Sequence, residues 1–175
     1  MEPYLGLPNT KRVIPWEERL IMPEEVKAYI AGFLDGDGCL MAQLVKREEN
    51  KFGFQIRLSL VFYQHVQNIK HLEWLKSLLK DGYIRKRNDN MAEYTIVGIK
   101  PVIKVIDEIL PYLRLKKKQA QNLLLFKEMA SKPSKEQFIK FCKLVDNTAK
   151  YNFSKKRKIF TPQVLRYLDD NNLSP

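Results

Sequence analysis

The chain has 175 residues, 45% of them hydrophobic, with 31 Lys and Arg against 20 Asp and Glu, a net charge of +11. That length and apolar content give one domain with a core, and two cysteines far apart, Cys39 and Cys142, exclude a disulfide framework and a zinc site and point to a reducing compartment. The charge excess points to a polyanion partner, most often nucleic acid, and no apolar run approaches the length of a membrane span.

Residues 1–23 carry Pro3, Pro8, Pro15 and Pro23 without periodicity, which predicts an extended arm outside a domain at 24–175. Its acidic residues and lack of an apolar stretch predict neither a signal nor a transit peptide. Pro23, followed by Glu24 and Glu25, opens a helix to about Gly36. Val26, Ile30 and Phe33 share its apolar face, and Ala28, Ala31, Gly32, Asp35 and Gly36 form a small-residue face. Strands follow near 39–47 and 54–63. In the second, Phe54, Ile56, Leu58, Leu60 and Phe62 alternate with Gln55, Arg57, Ser59, Val61 and Tyr63, giving one oily and one polar-basic face.

Residues 71–79 read as a helix, Asp81-Gly82 as a turn, and 83–87 and 93–97 as two further strands, with Arg85 and Arg87 on one face. Helices are expected over 101–110, 116–129 and 135–150 and after Pro162, with the basic loop YNFSKKRKIF between the last two. This order is one α+β unit without an internal repeat.

Glycine in a helix interior costs about 1 kcal/mol against alanine. Gly32 and Gly36 lie four apart, a spacing that lets two helix backbones approach closely. The chain holds no second copy of the stretch, so a two-fold homodimer is the economical partner. Pairing the helices brings together two C-terminal ends, each with Asp37 and free carbonyls. Such hard oxygen donors suit Mg²⁺ or Ca²⁺, and two close carboxylates repel unless a divalent ion lies between them. A bare DGDG also fits a helix end followed by a turn.

IAGFLDGDG, residues 30–38, resembles the signature of the LAGLIDADG homing endonucleases: Ala31, Gly32, Asp35, Asp37 and Gly38 match outright. LSLVF, GYIRKR, PYLRLKKKQA and NFSKKRK are similar to segments of the single-motif, homodimeric branch, so the resemblance runs from about Glu24 to the C-terminus. It implies an αββαββα core with a saddle-shaped antiparallel sheet plus C-terminal helices. It also implies metal-dependent hydrolysis of both strands of a long pseudo-palindromic double-stranded DNA by a homodimer. Mg²⁺ is the expected ion, with Mn²⁺ substituting and Ca²⁺ binding without cleavage. By the same resemblance Asp37 and the Gly36 carbonyl hold the metal, and Asp35 braces the helix end. Alignment on Pro111, Leu113 and Gln119-Ala120 gives Lys116 the family's basic active-site role.

Alignment back from Trp74-Leu75 gives the family's water-holding polar role to Gln67, with Gln64 as rival and His71 or Lys70 as a second group. It implies a local one-residue insertion, a bulge. For base reading the candidates are Gln43, Arg57, Ser59, Tyr63, Arg85, Arg87, Glu93 and Thr95 on one sheet face. For phosphate contacts they are Lys155, Lys156, Arg157 and Lys158. Lys11 and Arg12 of the arm are candidates for flanking DNA. An RNA maturase, with RNA as partner, and a catalytically silent DNA-binding regulator are the alternatives on this fold; the intact Asp37 and Lys116 argue for cleavage. The expected location is intracellular, a prokaryotic cytoplasm or an organelle interior.

Overall fold

The structure is a computed structural model and describes residues 22–129, 131–152, 157 and 159–171. The expected arm up to residue 21, with Lys11 and Arg12, and the loop lysines Lys155, Lys156 and Lys158 lie outside the described residues. The elements run α1 (Glu24–Asp37), β1 (Gly38–Lys46), β2 (Phe54–His65), α2 (Ile69–Leu79), β3 (Tyr83–Lys86), β4 (Met91–Val97), α3 (Ile99–Ile109), α4 (Lys117–Leu124), α5 (Lys135–Ala149) and α6 (Thr161–Asp170). The strands make one four-stranded antiparallel sheet in the order β1-β2-β4-β3. This is the expected α+β architecture. Among the described residues no helix is long and apolar enough to cross a membrane.

Alternation along β2 decides which side of the sheet is covered. Phe54, Ile56, Leu58, Leu60 and Phe62 are all buried, on the side of the sheet covered by α1, α2 and α3 and, at the Phe54 end, by α5 and α6. α3 meets them with Val102, Val105, Ile106 and Ile109, the one-face spacing of a helix. Each such side chain contributes about 1.5–3 kcal/mol on burial. α1 adds Ile30, Ala31 and Leu34 to the same core, which fixes the helix's rotation and therefore what its other side shows.

Two local expectations are corrected. β2 pairs with β4 without interruption from Ser59 to His65, so no bulge interrupts the strand. After it the chain makes a single 3₁₀ turn at Val66–Asn68 that begins where the Val66 amide donates to the Asn90 carbonyl at 2.9 Å. The helix expected over 116–129 divides, with α4 ending at Leu124 and a 3₁₀ turn continuing through Leu125–Glu128.

The corner between α1 and β1 has no linker. Asp37 ends the helix and Gly38 starts the strand, with the Gly38 amide donating to the Leu34 carbonyl. A Cβ at Gly38 would lie 2.5 Å from Leu34 Cδ1 and 2.8 Å from the Leu34 carbonyl oxygen. The absence of a side chain there lets the chain turn out of the helix at once, so the residue that ends α1 stands at the edge of the sheet.

Candidate active site

Residues two apart on an α-helix point about 200° from one another. Asp35 and Asp37 therefore face opposite ways: Asp35 is buried and Asp37 exposed. The Asp35 carboxylate accepts from three consecutive backbone amides, Arg114 at 2.7 Å and Leu115 at 3.1 Å through Oδ2, and Lys116 at 2.9 Å through Oδ1. These amides lead into α4, whose N-cap, Lys116, makes no side-chain cap of its own. In return Lys116 Nζ donates to the Asp35 carbonyl at 2.6 Å, at the end of a helix with no basic residue in its last turn. A carboxylate thus serves the positive end of α4 and an ammonium the negative end of α1. Gln119, in the first turn of α4 and buried, donates to the Leu40 carbonyl at 2.7 Å and to Asn152 Oδ1, tying α4 to β1. Burial raises the pKa of the Cys39 thiol, while the Lys116 charge pulls it the other way.

The small-residue face of α1 needs correction. Ala31 is fully buried and Asp35 turns inward, so neither belongs to an outward face. Ala28, Gly32 and Gly36 are exposed, and a Cβ built at Gly32 or Gly36 meets nothing within 4 Å. Among the described residues, nothing in the chain's own packing requires glycine there. The sequence reading missed three apolar neighbours of this stripe: Leu115, 80% exposed beside the Asp35 bonds, and Tyr29 and Trp74, 50% and 39% exposed, with ring centroids 5.8 Å apart. The available signal was Leu115 as the single apolar residue in RLKKK. His71 sits among these rings, its Nε2 3.0 Å from the Tyr29 hydroxyl and its ring stacked on Trp74.

Gly38 pairs with Phe62, so β2 outruns β1 by three residues and carries the 3₁₀ turn past the Asp37 end of α1. Gln67 is exposed on that turn, its amide donating to His65 Nδ1 at 3.3 Å. Gln64 is more enclosed, and its Oε1 already accepts from the His65 amide and Asn68 Nδ2. Lys70 is exposed on α2. Among the described residues no three His, Cys, Asp or Glu side chains gather as a metal cluster. The donors at the end of α1, the exposed Asp37 carboxylate and the backbone carbonyls, are hard oxygens that fit Mg²⁺ or Ca²⁺ by type. Among the described residues a single copy brings one outward carboxylate to this end, so a full coordination shell needs further donors.

Across the sheet's polar face the register sets Gln43 beside Arg57, Ser59 between Met41 and Val97, and Glu93 between Tyr63 and Arg85. Arg57 Nη2 donates to Gln43 Oε1 at 2.8 Å. Arg85 grips Glu93 Oε1 through Nε at 2.9 Å and Nη2 at 2.8 Å, while Arg87 pairs with Asp89 at 2.7 Å. Ser59, Glu93 and Thr95 lie on the expected face but are buried. Longer side chains on the flanking strands cover them, so Gln43, Arg57, Tyr63, Arg85 and Arg87 form the outer layer. A cleft along β1 joins Gly36 and Lys116 to Gln43 and Tyr151. Arg157 is corrected outright. Its guanidinium donates to Asp146 Oδ1 at 2.6 Å and to the Ile159 and Val145 carbonyls, so it fastens the loop to α5 and does not face outward as a phosphate contact.

Residues 30–130 match the family model described as LAGLIDADG endonuclease. The chain is 34% identical over 138 residues to DNA endonuclease I-CvuI of Chlorella vulgaris, covering 78% of this chain and 86% of that protein. It is also 34% identical over 148 residues to DNA endonuclease I-CreI of Chlamydomonas reinhardtii, covering 83% and 90%. The crystal structure of the homing endonuclease I-CvuI in complex with its target in the presence of 2 mM Ca superimposes with a TM-score of 0.81 at 32% identity, over 85% of this chain and 96% of that one.

The opposed aspartates should separate in stability measurements. Asp35→Ala removes a charged acceptor from three amides and should cost about 1.5–3 kcal/mol in urea unfolding, whereas Asp37→Ala should stay within about 0.5 kcal/mol of wild type. Equal losses would show that the two carboxylates do not divide in this way.

Proposed function

The chain belongs to the LAGLIDADG endonuclease family, and we propose how its residues divide the work of a site-specific, DNA-cleaving homing endonuclease that acts as a homodimer. Two copies pack through the exposed stripe of Ala28, Gly32 and Gly36, with Tyr29, Trp74 and Leu115 closing the apolar margin. That contact sets the two Asp37 carboxylates together. The observation that carries the reading is the reciprocal cap, which turns Asp37 outward at the end of a glycine stripe that the described residues leave uncovered.

The family is metal-dependent. Asp37 and the Gly36 carbonyl of each copy would hold Mg²⁺, which when bound lowers the pKa of water and neutralises charge on the phosphate. Lys116 uses one of its ammonium's three protons on the Asp35 carbonyl; the others are free to hold a phosphate oxygen or a water beside Asp37. Gln67, at the other margin, orients a water through its amide. The polar face of the sheet lies in the major groove, with Gln43, Arg57, Tyr63, Arg85 and Arg87 reading bases. Glu93 holds Arg85 in place and does not itself read a base. At about 3.3 Å per residue, the nine residues of β1 follow about nine base pairs of about 3.4 Å each. Two copies therefore span a long pseudo-palindrome. The domain begins near Glu24, and its place of action is intracellular, wherever the target DNA resides.

Cleavage of a randomised duplex library tests this. Wild type with Mg²⁺ should enrich one long near-palindromic site. EDTA or Asp37→Asn should abolish cleavage, while the variant still binds that site. Cleavage by Asp37→Asn at the wild-type rate would overturn the assignment.

Gly32→Ala should stabilise the isolated subunit by up to about 1 kcal/mol and yet weaken the dimer in sedimentation. A tighter dimer would contradict the stripe's role.

A further inference from the structure

The end of the sheet farthest from Asp37 is seated on the C-terminal helices. Residues 47–53 join β1 to β2, and their backbone closes on itself: the Arg47 amide donates to the Gly53 carbonyl at 2.8 Å, and the Gly53 amide to the Asn50 carbonyl at 2.8 Å. Gly53 has a φ of +69°, and a Cβ there would lie 2.2 Å from Tyr167 Cε1 and 2.6 Å from its Cζ. The Tyr167 ring of α6 thus lies against the bare backbone of the turn. It meets Phe54 edge-on at 5.2 Å and has Lys46 Nζ 5.9 Å from its centroid. Phe52, the turn's other inward residue, stacks on Phe138 of α5 at 4.8 Å. Residues 46–51 remain exposed, among them Lys46, Arg47, Asn50 and Lys51.

We propose that Tyr167 is a positioning residue for DNA recognition at the outer ends of the target, setting the height and angle at which the 47–53 turn meets the duplex. The role rests on the functional reading above. Lys46 lies eight residues beyond Gly38 in β1. At about 3.3 Å per residue that is about eight base pairs from the Asp37 end, so the turn acts far from the cut. Glycine at residue 53 permits both the positive φ and the close ring. The contact limits the turn without lending it any side chain that touches DNA.

The test compares wild type, Tyr167→Ala and Tyr167→Phe, with Tyr167→Leu to keep an apolar plug should the alanine variant fail to fold. Sites recovered from the randomised duplex library are read position by position, and amide exchange is followed over residues 38–53. The Ala or Leu variant should lose base preference at the outermost positions of each half-site, and its 47–53 amides should exchange at least about 10-fold faster. The innermost positions and the cleavage rate on saturating wild-type site should hold within about 2-fold, and Phe should behave as wild type. An even loss across all positions, or unchanged outer preference and exchange, would overturn the role. Failure of wild type itself to select any site would overturn the functional reading, and this role with it.

Discussion

The site depends on an exchange of charge between two helix ends. α1 finishes with carbonyls and no basic residue, and α4 starts with amides and no capping side chain. Each borrows from the other: Asp35 covers three amides at the start of α4, and Lys116 covers a carbonyl at the end of α1. A lysine at a helix N-terminus is unfavourable on dipole grounds. Here the ammonium reaches past its own helix to the opposite pole of another. The same bonds fix the rotation of α1's last turn, and helical geometry then sends Asp37 outward, about 200° away. The residue assigned to chemistry is placed by one that touches no substrate.

The glycines carry the complementary constraint. Among the described residues of one subunit Gly32 and Gly36 have open space where a Cβ would go, so their cost in helix stability has no return there. In the proposed assembly the return is a second helix coming close to bare backbone. Apolar groups at the margin of the stripe, Leu115 above all, are exposed too, and the proposed contact would cover them. Stability of the subunit and competence of the dimer are therefore opposed at these positions.

Much of this was legible in the sequence because it is local. Alternation in β2 marked the buried side, and the resemblance separated the bracing Asp35 from the metal-holding Asp37. What was lost is non-local. Small size placed Ala31 and Asp35 with the glycines, but the face each takes depends on α3 and the 114–116 amides, far along the chain. Ser59 and Thr95 alternate correctly and still lie beneath their cross-strand neighbours, which a single strand's pattern does not contain. Arg157 reads as one more cation in KKRK until folding brings Asp146 against it. The bulge expected near Gln67 is absent from the strand because β2 pairs with β4 through His65, and a 3₁₀ turn follows instead.

The central claim is that two copies share one metal-binding centre built on their Asp37 carboxylates. The most direct measurement is diffraction at the manganese absorption edge from crystals of the chain bound with Mn²⁺ to its selected duplex. The account predicts anomalous density within bonding distance of Asp37 in both copies, at the end of the paired glycine stripes. Manganese bound elsewhere, or two Asp37 residues separated on opposite sides of the assembly, would contradict it.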